Sequence, residues 1–530
     1  MTDLAIRGAT VVDGSGRPRF RATVGVTNGL IEGVRHLATG EPTAPDVDAA
    51  LVLDGEGLVL APGFVDVHNH SDLAPLIDPS MPSTLRQGAT TVVVGNCGYS
   101  GWPVSLAREL LAWAGGDAAS VDLGFDSFGS WLDVIERSRP AVNVAALVGH
   151  GSVRQEVMGL DRRPPSDDEL AEMRRLVAEA MEAGAVGLST GLVYVPGMFS
   201  ATDEVVRLAG VASAAGGVYA SHIRGEGENV FRAVDEALEI GRRADVPVHI
   251  SHLKLESSPV WGRSAELLAR VHDGPDATAD QYPYAAYETH LSSLLPDWAP
   301  VRELTGLLAE PRTRELLVRS IEEGEGEAFQ SSVRGVGWER IVVEWTADED
   351  CRGRSIEEIA GRRGVPPVDA LFQLLQEDPD SSCIGHAMDE DDVRAILADP
   401  EIMVASDAVA ASTDGPLAHL PTHPRTYGTF PRALGPFVRD GVLTLENAVR
   451  KMTSLPADRF GLDGRGRVVE GAVADLVLFD PAEVADRGTF EAPHAYPEGI
   501  EAVIVGGVLA WSRERPAEIE RAGAVLRRPS

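Results

Sequence analysis

The sequence predicts an α/β protein: a parallel sheet with crossover helices, flanked by a small β subdomain drawn from both ends of the chain. Three observations carry that reading. Short apolar runs alternate with amphipathic helical stretches through the middle, the texture of βα units. Roughly the first 60 and the last 70 residues read instead as short strands around tight turns. At 530 residues the chain exceeds what one small core needs, so a large domain with attachments is expected.

The opening element is TVGVT, Asn28-Gly29 and LIEGV, a hairpin signal because Asn-Gly accepts the left-handed backbone of a two-residue turn. The closing elements are ADLVLFD (474–480), then AVIV, Gly506-Gly507 and VLAW, a second strand pair. Neither end buries a core alone, so residues 1–62 and 456–530 are expected to combine into one β-sandwich domain beside residues 63–455. Within that middle, candidate strands are GFVDV (63–67), TTVVV, NVAALV (143–148), VGLST (186–190), GVYAS (217–221), VPVHIS (246–251), ATADQ (277–281), SCIG (382–385) and IMVAS (402–406). That is nine, one more than an eight-stranded closed sheet needs, and spacing alone leaves barrel or open sheet undecided. Ser166 and Glu169 form a capping box ahead of an apolar helical stripe that leads into VGLST. Residues 288–345 break the rhythm and read as an insertion.

Composition excludes several classes of function. Lys+Arg 47 against Asp+Glu 81 gives a net charge of −34, which repels phosphate backbones and acidic membranes, so nucleic acid is not an expected partner. Hydrophobic residues at 44% and charged residues at 24% describe a globular chain rather than a disordered one. Cys97, Cys351 and Cys383 are too few and too scattered for a disulfide framework, so a reducing, cytoplasmic setting is expected. The opening MTDLAIRGATVVDG meets Asp3 before any apolar run, and no apolar stretch of about 18 residues follows, so neither signal peptide nor membrane span is expected.

The chemistry gathers at strand ends. His68 and His70 follow GFVDV, and residues two apart along a strand project to one side, so both imidazoles could meet one cation. An HxH pair alone is common among solvated histidines. Here Cys97 follows TTVVV, His222 ends GVYASH, His252 follows VPVHIS and Asp407 follows IMVAS, so six potential ligands stand at the carboxyl ends of candidate strands. In parallel α/β folds functional groups collect at that end. Imidazole and thiolate ligands with an open position describe a catalytic zinc, whereas a structural zinc draws four ligands from close pairs such as CxxC, which this chain lacks. Three or four ligands suffice for one ion, so either two ions share a bridging Cys97 thiolate or some of the histidines serve substrate. His150 and His386 also end candidate strands.

The segments APGFVDVHNH, QGATTVVVGNCG, GAVGLSTGLVYVPG, YASHIRGEG, ISHLK, DQYPYAA, VASDA, THPRTYGTFPRALG and ADLVLFDP resemble, in this order and over nearly the whole chain, the D-aminoacylase (N-acyl-D-amino-acid deacylase) group of the amidohydrolase superfamily. The resemblance implies a distorted (β/α)8 TIM-like barrel with a small β-sandwich from both termini and an insertion after a late strand. It implies one or two zinc ions, held by Cys97, His222 and His252 with a second, weaker position near His68 and His70, and Asp407 as metal-adjacent catalytic acid and base. It further implies that Arg425 clamps a substrate carboxylate, assisted by Tyr194 and Tyr282. Many superfamily relatives bridge two metals with a carboxylated lysine on the fourth strand; the matching stretch here offers Ser189, and the only lysines are Lys254 and Lys451. Cys97 is then the better bridging candidate, and Lys254 is either a charge near the site or a surface residue. Arg224, just past His222, could add positive charge for an anionic substrate.

Two departures from the family pattern bear on specificity. Where a small Gly-Ser-Thr run is usual, this chain reads Tyr287-Glu288-Thr289, a carboxylate where a hydroxyl would help bind substrate. The glycine usual after the catalytic Asp is Ala408. The implied activity is hydrolysis of the amide of an N-acyl-D-amino acid, with zinc polarising the carbonyl and Asp407 passing a proton from water to the leaving nitrogen. A dipeptidase or peptide-tail hydrolase, with Glu288 reading a free ammonium, and a non-catalytic metal-binding barrel are the alternatives.

Overall fold

Eight runs of small and β-branched residues pair side by side into a parallel barrel: β1 (Phe64–Asp66), β2 (Ala89–Val94), β3 (Asn143–Gly149), β4 (Gly187–Gly191), β5 (Val218–His222), β6 (Val248–Ile250), β7 (Ala277–Gln281) and β8 (Ile402–Val404). This computed structural model describes residues 2–38, 41, 48–113, 121–296, 298–324, 331–420 and 422–528. Nearly every residue of these strands is buried, because crossover helices cover the outside and side chains fill the inside. A parallel bridge between Asn69 and Ala408 closes the ring, and the Asp407 amide donates to the His68 carbonyl across that seam at 2.8 Å. The covering helices include Asp167–Glu182, Thr202–Ala214, Val230–Ala244 and Ser264–Asp273, and the Ser166–Glu169 capping box is present at the first. Among the described residues, no helix is long and apolar enough to cross a membrane.

SCIG is the surplus strand. Ser382–Gly385 is antiparallel to both Tyr287–His290 and Ile341–Trp345 in a separate three-stranded sheet. Strand propensity located the run but could not say which sheet would receive it. The excursion between β7 and β8 therefore reaches past the expected 288–345; Asp297 and residues 325–330 of that segment lie outside the described residues.

The two chain ends meet in one eight-stranded sheet. Val59–Pro62 pairs with Leu476–Phe479, placing Leu60 opposite Leu478, and Thr2–Val11 lies on the other side of Val59–Pro62. Leu4, Ile6, Val24, Leu60, Leu478 and Ile504 share one apolar cluster, so neither terminus completes this core alone. Asn28 and Gly29 take positive φ (52° and 78°) in the first hairpin turn, as do Gly506 and Gly507 (55° and 82°) in the last.

Candidate metal centre

Three of the six candidate ligands leave their strands on strained backbone. Cys97, His252 and Asp407 all have positive φ (52°, 36° and 51°), a region disfavoured for side-chain-bearing residues and frequent at functional sites. The Cys97 turn is braced from β4: the Gly98 amide donates to Ser189 Oγ at 3.1 Å, and that hydroxyl donates to the Gly95 carbonyl. A Cβ at Gly98 would stand 2.7 Å from the Gly191 nitrogen, so only glycine lets the Cys97 turn approach β4 this closely. The His68 and Asp407 turns are tied by Asp66, which accepts from the Ser406 amide and from Asn69 Nδ2, both at 2.9 Å.

Cys97 Sγ stands 3.4 Å from His68 Nε2, 3.5 Å from His222 Nδ1 and 3.5 Å from His252 Nε2, all buried. Ligands of a tetrahedral zinc, about 2.0–2.3 Å from the ion, lie about 3.5 Å from one another. Each of these imidazoles turns its other nitrogen to a carboxylate. His252 Nδ1 is 2.8 Å from Glu226 Oε1, His222 Nε2 is 3.7 Å from Glu226 Oε2, and His68 Nδ1 is 3.5 Å from Asp280 Oδ2. That carboxylate–imidazole order is the arrangement that orients histidines toward a metal. Among the described residues, three groupings could hold an ion: His68, Cys97 and His252; His68, His70 and Asp407; His222, Glu226 and His252. A thiolate, imidazoles and carboxylates form a donor set suited to zinc.

Charges reinforce the grouping. Burial works against the Cys97 thiolate, yet His68 and His222 hold the thiol well below its ordinary value. Burial likewise opposes charge on Asp407, and Arg425, His252 and His68 together keep its carboxyl well below the usual carboxylate range. Asp407 Oδ1 lies 3.2 Å from His70 Nε2 and 3.4 Å from His68 Nε2, while Oδ2 accepts from Arg425 Nη1 at 2.8 Å. Asp407 therefore sits between the imidazoles and the guanidinium.

Around Arg425 the chain builds a half-satisfied clamp. The guanidinium lies over the Tyr282 ring at 4.8 Å, and its Nη2 is 3.9 Å from Glu288 Oε2. Glu288 also accepts from the His423 amide at 3.1 Å, and burial raises its carboxyl pKa. Arg425 Nε and the Tyr282 hydroxyl are buried without a protein partner, two donors left over in the clamp.

Other expected residues are placed differently. Tyr194 packs its ring 4.8 Å from that of His222. Lys254 is a buried residue and not a surface one, its ammonium 2.7 Å from Glu226 Oε1 and 2.8 Å from His252 Nδ1. Arg224 is turned away from the cluster: it pairs with Glu236 at 2.9 Å and donates to the Met198 and Ser200 carbonyls. Thr289 is half-buried in the three-stranded sheet opposite Cys383. His150 joins a buried trio with Glu204 and Arg154, and His386 packs on Phe490. Sequence reasoning missed Glu226 and Asp280. The first lies four residues after His222 in YASHIRGEG and the second ends ATAD, so a carboxylate beside a candidate ligand or strand end was the available signal.

Residues 51–510 match the sequence model of an amidohydrolase family. The D-aminoacylase of Alcaligenes xylosoxydans xylosoxydans is 38% identical over 99% of this chain and 98% of its own. The N-acyl-D-glutamate deacylase of the same organism is 39% identical over 99% of this chain and 96% of its own. The crystal structure of N-acyl-D-glutamate deacylase from Bordetella bronchiseptica, complexed with zinc and a phosphonate mimic of the reaction's tetrahedral intermediate, superposes with a TM-score of 0.80 at 34% identity, covering 99% of both chains. Matches that run from end to end at this identity, on the same barrel, leave one assignment: the chain belongs to the amidohydrolase family.

Proposed function

We propose that this protein is a zinc-dependent deacylase that hydrolyses the amide of N-acyl-D-amino acids, releasing a carboxylic acid and the free amino acid. The observation that carries the reading is the position of Asp407, touched on one oxygen by His70 and on the other by Arg425, beside a buried thiol ringed by three imidazoles. The handedness rests on the relatives, a D-aminoacylase and an N-acyl-D-glutamate deacylase. A reducing cytoplasm suits the reading, since Cys97 is a free thiol.

Cys97, His222 and His252 would hold the primary ion, with His68, His70 and Asp407 around a second position. When bound, the ion polarises the amide carbonyl and acidifies water. Asp407, held ionised at neutral pH, accepts a proton from water as the water oxygen bonds to the carbonyl carbon. It then gives that proton to the amide nitrogen as the C–N bond breaks. Arg425 Nε and the Tyr282 hydroxyl supply donors for the substrate carboxylate, and Tyr282 fixes the guanidinium plane. Glu288 is directed to Arg425 and the His423 amide rather than left open to read an ammonium, which favours the deacylase over the dipeptidase alternative.

The test is the Asp407→Asn variant, assayed with N-acetyl-D- and N-acetyl-L-amino acids alongside its zinc content. The expected result is retained zinc with turnover of the D series reduced by about 10²–10⁴-fold. Undiminished turnover with zinc bound would remove Asp407 from the chemistry.

A further inference from the structure

A cavity of about 50 Å³ opens beside the candidate centre, and His70 belongs to both. Apart from His70 and Asp72 its walls are apolar, including Leu73, Leu110, Leu111, Leu417 and Leu420. Asp72 is buried and its Oδ1 has no protein partner. These walls come from three neighbouring strand-end segments: Leu73 follows β1, Leu110 and Leu111 lie on the helix Val104–Trp113 after β2, and Leu417 and Leu420 follow β8. The clamp occupies the adjoining arc and shares only the segment after β8, with Tyr282 and Glu288 after β7 and Arg425 opening the helix after β8. Asp407 stands between the two, since His70 meets its Oδ1 and Arg425 its Oδ2.

An N-acyl amino acid has a matching polarity. Its carboxylate and side chain both branch from the carbon on the nitrogen side of the amide, and its acyl group leaves from the carbonyl side. With the carboxylate held on the Arg425 arc and the amide beside Asp407, the acyl group must leave toward His70. Resting on the deacylase reading above, we propose that the Leu73–Leu110–Leu417 cavity is the acyl pocket, and that it selects an unbranched apolar acyl chain of about four carbons over acetyl. A water needs about 10–15 Å³ of such space, so about 50 Å³ admits about four groups of that size. The apolar walls and the Asp72 carboxyl both disfavour an anionic acyl group.

The test is a series of N-formyl, N-acetyl, N-butyryl, N-hexanoyl and N-succinyl derivatives of D-leucine, assayed with zinc-loaded full-length protein. We expect kcat/KM to rise about fourfold for each methylene from acetyl to butyryl and then to level off, with succinyl well below butyryl. Ala74→Leu, which places three more carbons in the cavity wall, should bring the butyryl-to-acetyl ratio close to one, and Leu417→Ala should move the plateau to longer chains. A wild-type series that is flat or falls beyond acetyl overturns the pocket while leaving the deacylase standing. So does a folded Ala74→Leu protein with an unchanged ratio. If Ala74→Leu does not fold, the wild-type series and the Leu417→Ala shift decide the matter. Zinc-loaded protein that hydrolyses no member of the series overturns the deacylase reading and the pocket with it.

Discussion

Glu226 shows how residues without direct chemistry shape this site. It accepts from Lys254 Nζ at 2.7 Å and faces His252 Nδ1 at 2.8 Å, so one carboxylate orients a candidate ligand and neutralises a buried ammonium. Glu226→Gln keeps the shape and removes the charge. It should weaken zinc binding about 10–100-fold, measured by competition with a chelator, whereas an unchanged affinity would reduce Glu226 to packing. Glu288 acts in the opposite sense on Arg425, its carboxylate 3.9 Å from Nη2 and so a like charge beside an incoming substrate carboxylate. Because like charges set side by side cost several kcal/mol, Glu288→Gln should lower KM for N-acyl amino acids by about tenfold, and a raised KM would assign Glu288 a substrate contact instead. Most candidate ligands were legible because an imidazole, thiol or carboxylate after an apolar run is visible in one dimension. Glu226 and Asp280 were not, because their partners His252 and His68 come from other strands and only barrel closure brings them together.

At the scale of elements, the apolar runs identified all eight barrel strands, and they named SCIG as a ninth because the same composition suits the three-stranded sheet. The helix Leu445–Met452 carries a feature the sequence did not reveal. Lys451 is fully buried, and its ammonium donates to the carbonyls of Leu397 and Asp399 at the carboxyl end of the helix Glu390–Ala398. Those carbonyls lack intrahelical partners, so the contact caps a helix end. Burial pushes the Lys451 ammonium down to about 7 from the ordinary 10.5. Between these values the unfolded chain binds the extra proton, so this residue adds stability as pH rises from about 7 to 10, by up to about 1.4 kcal/mol per pH unit. Thermal melts from pH 6 to 9 should show a wild-type gain that Lys451→Met lacks. Parallel pH curves for the two proteins would count against it.

Over the whole molecule, the two ends of the chain, expected to combine, are joined in a register the sequence did not specify, Leu60 opposite Leu478, and that sheet adjoins the β1 end of the barrel. The larger consequence is electrostatic. A chain of net charge −34 repels an anionic substrate, and at the site Arg425 already faces Asp407 and Glu288. Added salt screens that repulsion, so kcat/KM for an N-acyl amino acid should rise between about 10 and 150 mM ionic strength. A fall would mean that a local positive field steers the substrate.

The convergence of a thiol and imidazoles from separate strand ends on one ion is the claim on which the chemistry depends. Diffraction from zinc-loaded crystals, recorded on either side of the zinc absorption edge, tests it directly. The predicted result is an anomalous peak about 2.0–2.3 Å from Cys97 Sγ and from ring nitrogens of His222 and His252. Cys97 turned away from those imidazoles, with no peak among them, would contradict it.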